Sequence, residues 1–171
     1  MDDVKQVMMG LIVTSLRIAN GLLQSGRESP RCFAVALRPD GGRACVVAAE
    51  VDFAPVLALL PGATGVVGSP PPDEPAPAAE CLGVGADDDD EDAVVERLRE
   101  LAEGGGIVAT AIVEVEPDWD HPSGPLPTVW LKLEHHSGWT LLYTQQYSLE
   151  GETFRAGQTG SFEHEAEVFA E

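Results

Sequence analysis

Residues 107–116 read IVATAIVEVE, in which every second side chain from Ile107 to Val115 is apolar. Glu114 and Glu116 occupy the alternate positions at the end of the stretch, as expected for a strand with one covered face. Two more strands are predicted downstream and are joined by a tight turn, and an edge strand follows; they span residues 128–134, 139–147 and 162–169. The C-terminal third is therefore predicted to form an antiparallel sheet.

Two helices and a hairpin are predicted upstream of this sheet. Apolar residues recur at helical spacing over 3–24, and again over 93–103 before three glycines. Residues 32–50 hold two apolar runs around the turn Pro39-Asp-Gly-Gly42, which is typical of a β-hairpin. The sequence predicts an α+β fold: a twisted antiparallel sheet of about five to six strands, with the N-terminal helix and the second helix packed on one face.

The chain is predicted to be a single α+β domain, 1–171, because its length suits one core. A proline-rich and acidic insert interrupts the domain at about residues 63–92. The hairpin is predicted to pair Arg38 with Arg43, and this pairing keeps Cys32 and Cys45 out of register for a disulfide. Together with Cys81, they are predicted to be reduced, buried thiols.

Acidic residues dominate the charge, with 29 Asp and Glu against 10 Lys and Arg, giving a net charge of −19. Residues 73–103 alone hold 12 acidic and 2 basic residues. Such a charge disfavours nucleic acid and anionic lipid as partners. The acidic run either complements the start of the following helix, keeps the chain in solution, or docks a basic protein. The apolar runs are interrupted by polar residues and the chain begins without a basic stretch, so we expect neither a transmembrane helix nor a signal peptide, and a cytoplasmic location.

Three short patterns cover the hairpin, the start of the C-terminal sheet and its turn. They are Pro30-x-x-Phe33-Ala34-Val35-x-Leu37-x-x-Asp40-Gly41, Gly106-Ile107-x-Ala109-x-Ala111 and Leu131-x-Leu133-Glu134-His135-x-x-Gly138. Together they resemble an uncharacterised family of small acidic bacterial proteins. The resemblance implies a bacterial α+β protein and carries over no catalytic or binding residue. The chain departs from the pattern in the insert and in the loop 117–127, where we expect any protein-specific role.

A metal-dependent hydrolase is one functional alternative, because potential ligands are concentrated in the C-terminal third. Its candidate residues are His121, His135 and His136 with the neighbouring carboxylates. Their spacing matches no established metal motif, and no serine or cysteine lies in a nucleophile frame. No cofactor is therefore predicted.

The leading hypothesis is a non-enzymatic protein-binding module, an acidic adaptor or an immunity- or inhibitor-like protein that engages a basic protein. Trp119 lies in a polar loop between two aspartates, where an indole either serves as an interface anchor or folds back onto the sheet. The predicted partner-binding residues are Asp87, Asp88, Asp89, Asp90, Asp118, Trp119 and Asp120. A variant of this hypothesis is a homodimer that forms through the apolar N-terminal helix.

Overall fold

The computed structural model describes residues 2–25, 32–47, 80–83, 91–151 and 153–170. Two helices are present in this part of the chain, α1 (Asp2–Ser25) and α2 (Glu91–Glu103). Seven strands accompany them: β1 (Cys32–Leu37), β2 (Arg43–Val47), β3 (Glu80–Gly83), β4 (Ala109–Asp118), β5 (Leu126–His135), β6 (Thr140–Glu150) and β7 (Thr153–Phe162).

All seven strands belong to one sheet, in the order β3-β2-β1-β4-β5-β6-β7. Neighbouring strands are antiparallel except β2 and β3, which are parallel. The α+β class and the antiparallel sheet are confirmed. The edge strand was predicted over residues 162–169, but β7 ends at Phe162. Residues 163–167 form no strand, because this segment turns back over the sheet.

The two helices cover opposite faces of the sheet, whereas the sequence analysis placed both on one face. Phe33 and Val35 of β1 pack in the same buried cluster as α1. The alternate residues Ala34 and Ala36 pack in a second cluster with α2. The reason is that β1 is apolar at consecutive positions, so the centre of the sheet buries both of its faces.

Helix α1 is long and apolar enough over Asp3–Gln24 to cross a membrane, judged by length and composition alone. In the structure its apolar face packs against the sheet, and Leu11 and Ile18 are buried there. Helix α1 is therefore packed as a core helix of the fold.

The β1–β2 hairpin is one residue out of the predicted register. Leu37 pairs with Arg43, so Val35 lies opposite Cys45. The turn closes with hydrogen bonds from the Arg38 N–H to the Gly42 carbonyl and from the Gly41 N–H to the Arg38 carbonyl, which takes Arg38 into the loop. Cys32 and Cys45 are buried in clusters on opposite faces, a placement that does not allow a disulfide between them.

Part of the predicted insert belongs to the fold. Glu80–Gly83 forms β3 and pairs with β2, with Cys81 opposite Cys45 in the backbone register. Glu91 and Asp92 form the first turn of α2, where carboxylates complement the helix dipole. The remaining insert residues, including Asp87 to Asp90, lie outside the described residues.

Candidate functional site

A lysine and three carboxylates meet on the sheet face that carries α2. Lys132 of β5 forms a close ion pair with Glu91 in the first turn of α2. Its Nζ lies 3.3 Å from Oε1 of Glu114 and 3.6 Å from Oε1 of Glu167. Lys132 pairs with Ile112, so Glu114 occupies the diagonal position on the neighbouring strand. We call these four residues the Lys132 cluster.

One carboxyl group of the Lys132 cluster, that of Glu114, holds its proton to a higher pH than an ordinary carboxyl group does. Burial, followed by the neighbouring Glu91, raises the pKa of Glu114 to about 7. Burial also acts to raise the pKa of Glu91, but hydrogen bonds with Glu114 and Lys132 outweigh it and lower that pKa. Of these two carboxyl groups, Glu114 is therefore the one that takes up a proton as the pH falls through about 7, and Glu91 is the one that stays ionised against Lys132.

The pKa of Lys132 moves in the direction that keeps the amine charged. Burial alone would lower this pKa, yet the hydrogen bond to Glu91 and the charges of Glu114 and Glu167 raise it above its ordinary value. The ammonium group is thus a permanent positive charge inside the cluster.

A groove of about 620 Å³ opens beside the cluster and reaches the loop after β4. Its charged lining comes from Glu91, Glu114 and Glu116, and Trp119 also lines it. Trp119 is 68% exposed, which is unusual for an indole. The nearby Trp130 Nε1–H donates to the Glu116 carbonyl at 3.2 Å and fixes the end of β4. We call this cavity the Trp119 groove.

A second groove, of about 590 Å³, adjoins the first at Glu91 and follows the outer face of α2. Its acidic lining residues on the helix are Glu91, Asp92, Glu96, Glu100 and Glu103. Arg99 and Lys132 are the basic residues of its lining within the described part of the chain. This face of the protein is therefore predominantly acidic.

The C-terminal segment reaches the cluster because Glu134 anchors it. The Glu134 carboxylate is fully buried and accepts backbone N–H groups from Glu167, Val168 and Phe169. Arg99 of α2 donates its Nε–H to the Glu167 carbonyl at 2.6 Å. These contacts bring the Glu167 side chain to Lys132 across the surface of the sheet.

Among the predicted partner-binding residues, the structure describes those of the loop after β4. Asp118 is half-buried, and its Oδ1 accepts the Asp120 N–H at 3.2 Å, forming a turn that leaves Trp119 and Asp120 exposed. Sequence reasoning missed Glu91, Glu114, Glu116 and Lys132. The alternation of Glu114 and Glu116 was the available signal, since it placed both carboxylates on one face.

The histidines proposed for a metal-dependent hydrolase are not brought together. His121 precedes β5, whereas His135 and His136 lie at its far end, and a ten-residue strand spans about 30 Å. His135 is buried with Nδ1 2.8 Å from Ser137 Oγ, and burial, followed by His136, lowers its pKa. In the described ranges, no group of three or more His, Cys, Asp or Glu residues is arranged to hold a metal ion.

Comparisons with protein-family models, with curated proteins and with solved structures gave no significant match. The resemblance to a family of small acidic bacterial proteins therefore stays a prediction.

Proposed function

We propose that this chain is a non-enzymatic, cytoplasmic protein-binding module, an adaptor or an immunity- or inhibitor-like protein, that engages a basic protein. The observation that carries the proposal is Trp119, which is 68% exposed and lines a groove together with Glu91, Glu114 and Glu116. Large aromatic side chains that remain exposed next to a concave surface are typical anchors of protein interfaces.

The charge distribution supports a basic partner. The acidic outer face of α2 adjoins the Trp119 groove at Glu91, so the aromatic anchor and the carboxylates belong to one surface. A net charge of −19 speeds the approach of a positively charged protein and repels acidic competitors. The anchor would supply affinity, and the surrounding carboxylates would supply selectivity and a fast association rate.

Capture with matched variants tests the proposal. The tagged chain, its Trp119→Ala variant and its Leu149→Ala variant are each exposed at low salt to a lysate of the organism that encodes them. Leu149 is a suitable control because it is also exposed and apolar but lies on β6, away from the Trp119 groove.

We expect one dominant basic protein on the unmodified chain and on Leu149→Ala, released by salt and strongly reduced on Trp119→Ala. Surface ion pairs weaken as salt rises, so release by salt reports the acidic contribution. Equal capture by Trp119→Ala, or a partner that salt does not release, would contradict the proposal.

A variant of this proposal is a homodimer that forms through α1, and one further observation supports it. Met9 and Val13, one helical turn apart, are 58% and 61% exposed on the outer face of α1. Light scattering on purified Met9→Lys protein, compared with the unmodified chain, tests it: a dimer that becomes a monomer supports the variant, and a monomer in both cases rejects it.

A further inference from the structure

We propose that the Trp119 groove receives one cationic side chain of the partner, an arginine, between the indole of Trp119 and the carboxylates of Glu114 and Glu116. This inference rests on the proposed function and names the chemical group that the site recognises. It is carried by the charge balance inside the groove, by the exposed indole and by the position of Lys132.

The carboxylates around the groove exceed the positive charge available to them. Lys132 is a single ammonium in contact with Glu91, Glu114 and Glu167. Glu116 adds a fourth carboxylate nearby, and no described lysine or arginine lines the groove itself. Partly buried carboxylates without enough partners are unfavourable, so a guest that brings one positive charge relieves this imbalance.

The position of Lys132 directs the guest toward Trp119. Lys132 lines the groove that runs along α2, and it does not line the Trp119 groove. Its positive charge therefore acts on the carboxylates from the side of α2. Glu114 and Glu116 both line the Trp119 groove, and no described lysine or arginine does. A cation that enters the Trp119 groove is therefore surrounded by acidic side chains of its lining, while Lys132 lines the neighbouring groove.

Trp119 selects the chemistry of that cation. Indole is the strongest of the protein aromatic rings in attracting a cation to its face. An arginine guanidinium is planar, is only weakly hydrated and forms paired hydrogen bonds with carboxylates while stacking on a ring. A lysine ammonium is more strongly hydrated and cannot stack, so arginine is the better match to a site made of an indole and carboxylates.

Nuclear magnetic resonance on the full-length, ¹⁵N-labelled chain tests the assignment, with acetylated, amidated hexaarginine as the probe. Hexacitrulline is the matched ligand control, because citrulline keeps the shape of arginine without its charge. The Trp119 indole N–H signal is identified by its loss in Trp119→Phe. We expect a saturable shift of this signal with hexaarginine and none with hexacitrulline.

Two charge-matched variants locate the effect. Glu116→Gln should weaken hexaarginine binding about tenfold, since it removes a carboxylate that lines the groove. Asp3→Asn removes the same charge from α1 on the opposite face of the sheet, and it should bind as the unmodified chain does. Equal binding by Glu116→Gln and Asp3→Asn would overturn the assignment, and so would a Trp119 signal that hexaarginine leaves unmoved.

The outcomes also separate this inference from the proposed function. Shifts confined to amides along the outer face of α2 would leave an acidic, partner-binding surface in place and reject the arginine site at Trp119. An absence of any shift with hexaarginine at low salt would contradict both, because neither the groove nor the acidic face would then recognise a basic chain.

Discussion

The carboxylate of Glu134 accepts the backbone N–H of Val168 at 2.9 Å, although the two residues are 34 positions apart in the chain. Glu167 and Phe169 donate to the same carboxylate at 2.7 and 3.1 Å. Three consecutive amides thus surround one buried carboxylate, which satisfies the charge of Glu134 and the backbone together. The consequence for the site is that Glu167 is held within reach of Lys132.

Replacing Glu134 should release the C-terminal segment. Glu134→Gln leaves the amides of residues 167–169 with one good acceptor instead of a carboxylate, so we expect a loss of about 2 kcal/mol in the free energy of unfolding. Amide hydrogen exchange at residues 167–169 should become faster than in the unmodified chain. Glu165→Gln, which changes an exposed carboxylate of the same segment, is the control. Unchanged exchange in Glu134→Gln would show that Val168 packing and the hydrogen bond from Arg99 to the Glu167 carbonyl are enough to hold the segment.

The proton on Glu114 should make stability depend on pH. The pKa of Glu114 is raised from 4.5 to about 7 in the folded chain. A raised pKa means that the folded state binds this proton more tightly, so its contribution is complete below about 4.5 and is lost as pH rises through about 7. The charged groups facing Glu114 are Glu91 from α2, Lys132 from β5 and, through Lys132, Glu167 from the C-terminal segment.

Glu114→Gln isolates this contribution, because glutamine stands for the protonated carboxyl and other titrating groups are common to both proteins. Between pH 5 and pH 8, the unmodified chain should lose about 1 to 3 kcal/mol of stability relative to Glu114→Gln. Denaturant unfolding across this range measures the difference. Parallel pH profiles for the two proteins would mean that Glu114 titrates normally.

The end of α2 offers a test of backbone conformation. Gly105 has a φ of +67°, and hydrogen bonds from the N–H groups of Gly105 and Gly106 to the carbonyls of Ala102 and Leu101 close the helix. Gly105→Ala should destabilise the chain by about 1 kcal/mol, because L residues are strained in this region. Gly104→Ala is the matched control: φ is not positive there and an added Cβ meets only ordinary contacts. Equal losses in thermal unfolding would contradict this assignment.

Trp119 should contribute to binding and very little to folding. Because its side chain is mostly exposed, Trp119→Ala should change the free energy of unfolding by less than about 0.5 kcal/mol. Leu98→Ala, which removes a fully buried side chain of α2, should cost about 2 to 5 kcal/mol in the same experiment. A large loss of stability in Trp119→Ala would show that the indole packs in solution.

Local patterns were enough to predict most of the secondary structure. The alternation from Ile107 to Val115 predicted β4, the helical spacing over 3–24 predicted α1, and the three glycines predicted the end of α2. The tight turn before Gly138 predicted the β5–β6 hairpin. These features depend on side-chain period and on turn geometry, which act between neighbours in the chain.

The amino-acid sequence by itself thus determined the helices, most of the strands, the acidic charge and the polar setting of Trp119. Only the tertiary structure decided that the helices cover opposite faces, that β3 joins β2, and that Lys132 meets Glu91, Glu114 and Glu167. Such contacts join residues far apart in the chain, 41 positions in the case of Lys132 and Glu91, and they depend on strand order and on which face a helix covers. Strand order and helix placement minimise exposed apolar area over the whole core, so no local pattern specifies them.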